Sequence, residues 1–200
     1  IAENIPQIEV AVGEQCTALL LRVLAPLNAS DEKKLQNFAD LHQIVFYLQP
    51  KGPDSVYRFY PTNGPKLSYT LPEFGLELAF RPTDFTQVNH AVNRVLVRRA
   101  LRLLDPQPGE RMADRCGGWG NFTLPFARSG ALGVGVEGGL GLVMRGRESA
   151  AENGLAGLVE FAVANLFLCT PESLAALGPF DKMLIDPPRE GAIEVVNALG

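Results

Sequence analysis

The stretch Asp114-Arg115-Cys116-Gly117-Gly118-Trp119-Gly120-Asn121-Phe122 decides the fold. We predict that it connects a short strand ending near Asp114 to a helix. Glycines in such a connection let the backbone approach a ligand closely. The dinucleotide fingerprint G-x-G-x-x-G would need a glycine at position 123, where Thr123 stands. The sequence therefore weakens a pyrophosphate-binding interpretation of this loop.

A repeating strand–loop–helix pattern surrounds the loop. Beyond the strand that ends near Asp114, apolar runs predict strands over residues 132–136, 159–163 and 182–185, and a helix over residues 142–152. Strand ends that recur at roughly 20–27 residues indicate right-handed βαβ units around a parallel sheet. The fold class that follows is α/β, with a parallel-sheet domain over residues 81–200.

A carboxylate follows the next predicted strand. Glu137 comes 17 residues after Gly120 and can accept hydrogen bonds from both hydroxyls of a ribose. An Asp-x-x-x-Gly-x-Gly loop with this acid suits S-adenosylmethionine (SAM), which has a ribose but no phosphate. The alternative is a purely structural glycine turn.

The fourth predicted strand is closed by Asp186-Pro187-Pro188-Arg189. Two prolines cannot continue a strand ladder, so the chain turns stiffly at the edge where ligands bind. Amino-methyltransferases that act on adenine carry a similar turn, but an aromatic residue typically follows it. Arg189 in that place argues against adenine chemistry.

Residues 1–80 predict a separate α+β domain rich in antiparallel sheet. Ile8, Val10 and Val12 alternate with other residues as in a strand. Ser30 is predicted to cap a helix. Leu35, Phe38 and Leu41 recur at a spacing of three, which predicts one apolar face of that helix.

A second helix is predicted from residue 89 to about residue 104. Its predicted buried stripe consists of Val92, Val95, Leu96, Ala100 and Leu104. Arg94, Arg98 and Arg102 share another face. That face is either ordinary solvated surface or a surface for RNA phosphates.

Composition excludes several classes of protein. The 200 residues carry a net charge of −4, which argues against a strongly basic nucleic-acid-binding domain. Three widely spaced cysteines without a C-x-x-C pair predict no metal site and, with no visible signal peptide, favour the cytoplasm. No apolar run approaches the ~18 residues of a membrane span.

Several motifs together resemble the bacterial RNA (uracil-5-)-methyltransferases, and the 23S rRNA branch most of all. They are Phe85-Thr86-Gln87-Val88-Asn89, Gly118-Trp119-Gly120-Asn121-Phe122-Thr123-Leu124-Pro125, Gly135-Val136-Glu137-Gly138, Asn153-Gly154-Leu155 and Asp186-Pro187-Pro188-Arg189-Glu190-Gly191-Ala192. The resemblance covers essentially the whole chain, which includes the family's central domain and the SAM-binding part of its catalytic domain.

The resemblance implies a Rossmann-like fold, SAM as cofactor, and methylation of uridine C5 in RNA. It places six residues at cofactor-contacting positions: Gln87, Cys116, Asn121, Glu137, Asn165 and Asp186. The family's loop typically begins Asp-Leu-Phe-Cys-Gly, so that Arg115 replaces a leucine and Cys116 an aromatic residue. A buried arginine at this point would be costly.

The resemblance also implies a mechanism. A cysteine thiolate adds to uracil C6, C5 then takes the methyl group, and a base removes the C5 proton. The resemblance places this cysteine and the base after Gly200, so this chain alone is expected to be inactive and to contain no catalytic residue. An upstream oligonucleotide-binding barrel and a 4Fe–4S cluster, not ligated by this chain, are implied for the full-length protein.

Other functions stay open at this point. They are a tRNA uridine C5 methyltransferase, an amino-methyltransferase, and a non-catalytic RNA-binding protein with a decayed SAM site. The partner expected in each case is RNA, with 23S rRNA favoured, and the protein is expected to be monomeric and not bound to a membrane.

Overall fold

The computed structural model describes residues 1–199, which divide into two compact units. The first unit comprises residues 1–70 and 79–88. The second comprises residues 71–78 and the chain from Asn89 onward.

The first unit is built on a mixed four-stranded sheet. Its elements are β1 (Gln7–Val12), β2 (Thr17–Arg22), α1 (Ala29–His42), β3 (Ile44–Gln49) and β4 (Tyr57–Tyr60). The strands lie in the order β1-β2-β3-β4, in which β2 and β3 run parallel and the two outer pairs run antiparallel. A hairpin that the sequence did not predict in full, β5 (Ser68–Leu71) with β6 (Leu76–Ala79), follows and is divided between the units.

Helix α1 differs from its prediction at its start and on its apolar face. Asn28, and not Ser30, is the N-cap, and its side-chain oxygen accepts a hydrogen bond from the Asp31 amide at 2.9 Å. Phe38 and Leu41 are exposed, whereas Ala39 is buried in the core against β3. Leu35 packs against the core as predicted, but a spacing of three drifts around a helix of 3.6 residues per turn, which is why Phe38 and Leu41 lie outside the buried face.

The second unit is a parallel α/β structure, as the sequence predicts. Its elements are α2 (His90–Leu104), β7 (Arg111–Arg115), α3 (Thr123–Arg128), β8 (Leu132–Glu137), α4 (Leu140–Glu152), β9 (Val159–Val163), α5 (Pro171–Ala175), β10 (Lys182–Ile185) and α6 (Ile193–Ala198). The strands lie in the order β10-β7-β8-β9 and all run parallel.

The strand order creates a binding crevice in this unit. The chain steps outward from β7 to β8 and β9, and then returns to the other side of β7 for β10. Such a reversal leaves a crevice beyond the carboxyl ends of the two strands that flank it, here β7 and β10. The loop from β7 to α3 and the turn after β10 therefore meet at one edge.

Helix α2 buries a different stripe from the one predicted. Its buried residues are Asn93, Val97 and Leu101, while Val92 and Val95 are more than half exposed. The helix is apolar on two faces, so periodicity alone could not decide which face packs inward.

Two glycines let α4 lie close to the sheet. A Cβ atom built at Gly146 of α4 would lie 2.5 Å from the Phe161 ring, and one built at Gly135 of β8 would lie 2.6 Å from the same ring. Phe161 of β9 is buried. The ring therefore fills the space that two glycine side chains leave open.

We expect Gly146→Ala to lower the free energy of unfolding by about 1–3 kcal/mol, because the added methyl group overpacks against Phe161. Gly141→Ala is the matched control, since it lies in the same helix with no atom within 4 Å of the added Cβ. Alanine is the better helix former, so this control is expected to gain up to about 1 kcal/mol. Urea denaturation of both variants measures the difference, and equal gains would contradict the packing argument.

Candidate cofactor-binding site

The loop between β7 and α3 turns through left-handed backbone conformations. Gly118 and Gly120 have φ values of 57° and 110°, and Cys116 has a φ of 66°. Glycine adopts these angles without a Cβ penalty, whereas the cysteine carries strain of about 1–2 kcal/mol. The Cys116 amide donates to the Val136 carbonyl oxygen at 2.9 Å, which ties the start of the loop to β8.

Asp114, at the end of β7, joins the two ends of this loop through hydrogen bonds. Its carboxyl Oδ2 accepts hydrogen bonds from the Thr123 amide at 3.0 Å and from the Thr123 hydroxyl at 2.7 Å. A side chain at Gly117 would collide with the same carboxyl group. The threonine that breaks the dinucleotide fingerprint thus binds the strand end to the helix start. The sequence predicted a strand that ends near Asp114 but not this pairing with Thr123.

The pKa of the buried Asp114 carboxyl group lies far above its ordinary value. Burial raises its pKa to about 7, against the lowering effect of the Thr123 hydrogen bonds, and the nearby Asp186 and Glu137 carboxylates raise it further. Among residues 1–199, its second oxygen Oδ1 has no hydrogen-bond partner. An unpartnered buried oxygen is less costly when it carries a proton.

Glu137 stands at the carboxyl end of β8, beside the loop. Its Oε2 accepts from the Gly118 amide at 3.1 Å and its Oε1 from the Gly138 amide at 2.8 Å. A carboxylate has about four acceptor positions, so two remain for further donors. Contact of these positions with a pair of ribose hydroxyls stays a prediction from the sequence.

Two further predicted residues lie at the same edge. The Asp186 amide, directly after β10, donates to the Arg115 carbonyl oxygen at 3.2 Å, and desolvation raises the pKa of the Asp186 carboxyl. Asn165 is exposed after β9, where its side-chain oxygen accepts from the Phe167 amide at 2.9 Å. The structure therefore brings Cys116, Glu137 and Asp186 together, with Asn165 on the adjoining strand end.

The remaining two predicted residues are placed differently. The side chain of Asn121 is engaged with Asn93 of α2 through two amide hydrogen bonds. Gln87 belongs to the first unit, so the site described here is confined to the second. Sequence reasoning missed Asn93; a polar residue on the α2 stripe with Val97 and Leu101 was the available signal.

The cysteines are poor candidates for a nucleophile. Burial, followed by the Glu137 carboxylate, raises the pKa of Cys116 to about 11, so its thiol is protonated at neutral pH. Burial also raises the pKa of Cys16, which lies in the first unit. Cys169 is buried beside α6.

Between residues 1 and 199, no helix is long and apolar enough to cross a membrane. The same part of the chain holds no group of three or more His, Cys, Asp or Glu side chains that could bind a metal ion.

The sheet order and this edge define a Rossmann-like α/β fold. Among solved structures, the Pyrococcus abyssi tRNA (uracil-54, C5)-methyltransferase in complex with S-adenosyl-L-homocysteine is similar to 95% of this chain, which covers 45% of that protein, with a TM-score of 0.70 and 21% identity. Trm5b from the same organism is similar to 97% of the chain, which covers 56% of that protein, with a TM-score of 0.57 and 12% identity. At these identities the similarity shows the fold alone.

The sequence comparisons are more specific. The chain is 72% identical over all 200 residues to the 23S rRNA (uracil(1939)-C(5))-methyltransferase RlmD of Dechloromonas aromatica, and 56% identical to that of Cupriavidus necator. It spans 46% and 45% of these relatives, respectively. No family model matches it. Over its full length the chain is therefore similar to part of the RNA (uracil-5-)-methyltransferases.

Proposed function

We propose that the protein containing this chain uses SAM to methylate C5 of a uridine in 23S rRNA. The observation that carries the proposal is the 72% identity, across the whole chain, to an enzyme named for that reaction. We further propose that residues 1–80 form the family's central domain and residues 81–200 its SAM-binding domain. We also propose that this protein is monomeric and acts in the cytoplasm.

Two observations support SAM binding by the second unit. A Cβ built at Gly118 meets no atom within 4 Å, so the loop leaves open space there. Glu137 keeps acceptor positions beside that space for the ribose hydroxyls. SAM would supply the methyl group. We propose cofactor contacts for Gln87, Cys116, Asn121, Glu137, Asn165 and Asp186.

The chain's own residues position and shield the cofactor. Glu137 would orient the ribose, while the stiff turn after Asp186 would border the target base. We assign no cysteine of this chain as the nucleophile, because Cys116 holds its proton at neutral pH. The target uridine is expected to be flipped out or single-stranded, since attack at C6 and methylation at C5 need access to both faces of the ring.

The reaction is tested with the native protein that contains this chain. It is incubated with SAM and either unmodified 23S rRNA or unmodified tRNA, and the digested RNA is analysed by mass spectrometry. We expect 5-methyluridine in the rRNA only. Methylation of the tRNA instead, N6-methyladenine as the product, or RNA binding without any SAM binding would each contradict the proposal.

Glu137→Gln tests the ribose contact. Glutamine keeps one acceptor oxygen for the Gly118 amide but loses the second acceptor and the charge, so we expect the Kd for S-adenosyl-L-homocysteine to rise about tenfold or more. Calorimetric titration measures it. Glu148→Gln, an exposed change on α4, is the control and is expected to bind normally. An unchanged Kd for Glu137→Gln would argue against this role.

A further inference from the structure

A buried amide pair joins α2 to the loop between β7 and α3. The Asn93 side-chain nitrogen donates to the Asn121 side-chain oxygen at 2.9 Å, and the Asn121 nitrogen donates to the Asn93 oxygen at 3.0 Å. Asn93 is 2% exposed. Each amide thus donates one hydrogen bond to the other and accepts one from it, and the Asn93 end of the pair is buried.

The other buried residues of α2 are apolar. It shares the buried stripe of α2 with Val97 and Leu101. Burying an amide among such residues is unfavourable unless it is hydrogen-bonded. The pairing with Asn121 removes that penalty only when the loop adopts the observed conformation. The loop conformation and the packing of α2 are therefore coupled.

The two ends of the loop are fixed by different partners. Asp114 ties the end of β7 to Thr123 at the start of α3. Asn93 ties Asn121, two residues before Thr123, to a separate helix. Between these anchors lie Gly118, with its open space, and Gly120, whose φ of 110° only glycine adopts readily. Without the Asn93 anchor, the segment would keep the Gly118–Glu137 and Thr123–Asp114 contacts but lose its tie to α2 at Asn121.

We infer that Asn93 is a positioning residue for cofactor binding, which acts through Asn121 to hold the glycine segment of the loop in its ligand-binding conformation. The inference rests on the proposed function, because it takes S-adenosyl-L-homocysteine as the ligand of this loop. Asn93 itself lies on α2, outside the segment that would touch the ligand.

The test combines ligand affinity with a probe of the loop itself. The chain has one tryptophan, Trp119, which lies in this loop and is buried. We expect Asn93→Ala to raise the Kd for S-adenosyl-L-homocysteine about tenfold, because two hydrogen bonds to Asn121 are lost. We also expect it to increase acrylamide quenching of Trp119 fluorescence. Val97→Ala, one turn further on the same buried stripe, is the matched control. It should lower Tm while leaving the Kd and the quenching unchanged.

A double-mutant cycle tests whether Asn93 acts through Asn121. In an Asn121→Ala background, Asn93→Ala should cause no further loss of affinity. Asn93→Ala could instead keep native affinity and native quenching while losing Tm as Val97→Ala does. That result would overturn this inference but not the proposed function. Additive effects in the cycle would also overturn the inference. Failure of the unaltered chain to bind S-adenosyl-L-homocysteine would instead overturn the proposed function.

Discussion

Replacing Arg115 with leucine is expected to raise the free energy of unfolding by about 2–4 kcal/mol. Arg115 ends β7 and is 2% exposed. Its guanidinium makes no hydrogen bond or ion pair with any other residue between 1 and 199. The folded state therefore holds a buried guanidinium without an ion pair to any of these residues, which leucine would replace with apolar packing.

Arg111→Leu is the matched control for this prediction. Arg111 lies on the same face of β7, but it pairs with Glu160 at 3.1 Å and lies over the Phe180 ring at 4.8 Å. Its guanidinium also donates to the Leu177 carbonyl oxygen. We expect its replacement to lose about 1–2 kcal/mol. Urea denaturation of both variants provides the measurement, and a loss of stability in Arg115→Leu would show that the charge has a compensating partner.

The second large effect is a dependence of stability on pH that Asp114 causes. The pKa of Asp114 is about 7 in the folded chain and about 3.9 in an unfolded one. Between these values the folded state binds more protons than the unfolded state. The stability from protonated Asp114 is therefore complete below about pH 4, falls as the pH rises, and is lost above about pH 7.

The size of this effect follows from the same two pKa values. Between pH 5 and pH 8, the free energy of unfolding should fall by about 2–3 kcal/mol through Asp114. Asp114→Asn cannot ionise but keeps an oxygen for the Thr123 donors, so it should remove this part of the dependence. The measurement is urea denaturation at four pH values for both proteins. Parallel pH profiles would mean that Asp114 does not titrate in this range.

The parallel sheet could be predicted from the sequence because its signals are local. Apolar runs ending at Glu137, before Ala164 and at Asp186 marked the ends of β8, β9 and β10. The glycines of the loop after β7 marked the place where the chain turns. The faces of α1 and α2 could not be predicted in the same way, since both helices carry apolar residues on more than one side.

The candidate site also has features that the sequence predicted and features that only the structure revealed. The sequence by itself determined that an Asp-rich edge, a glycine loop and the Glu137 carboxylate follow successive strands, because strand direction carries residues after each strand to one edge. Only the tertiary structure decided that Asn93 pairs with Asn121, 28 positions away, and that Asp114 is buried deeply enough to be half-protonated near pH 7. Burial and hydrogen-bond partners come from residues distant in the chain, and no local pattern specifies them.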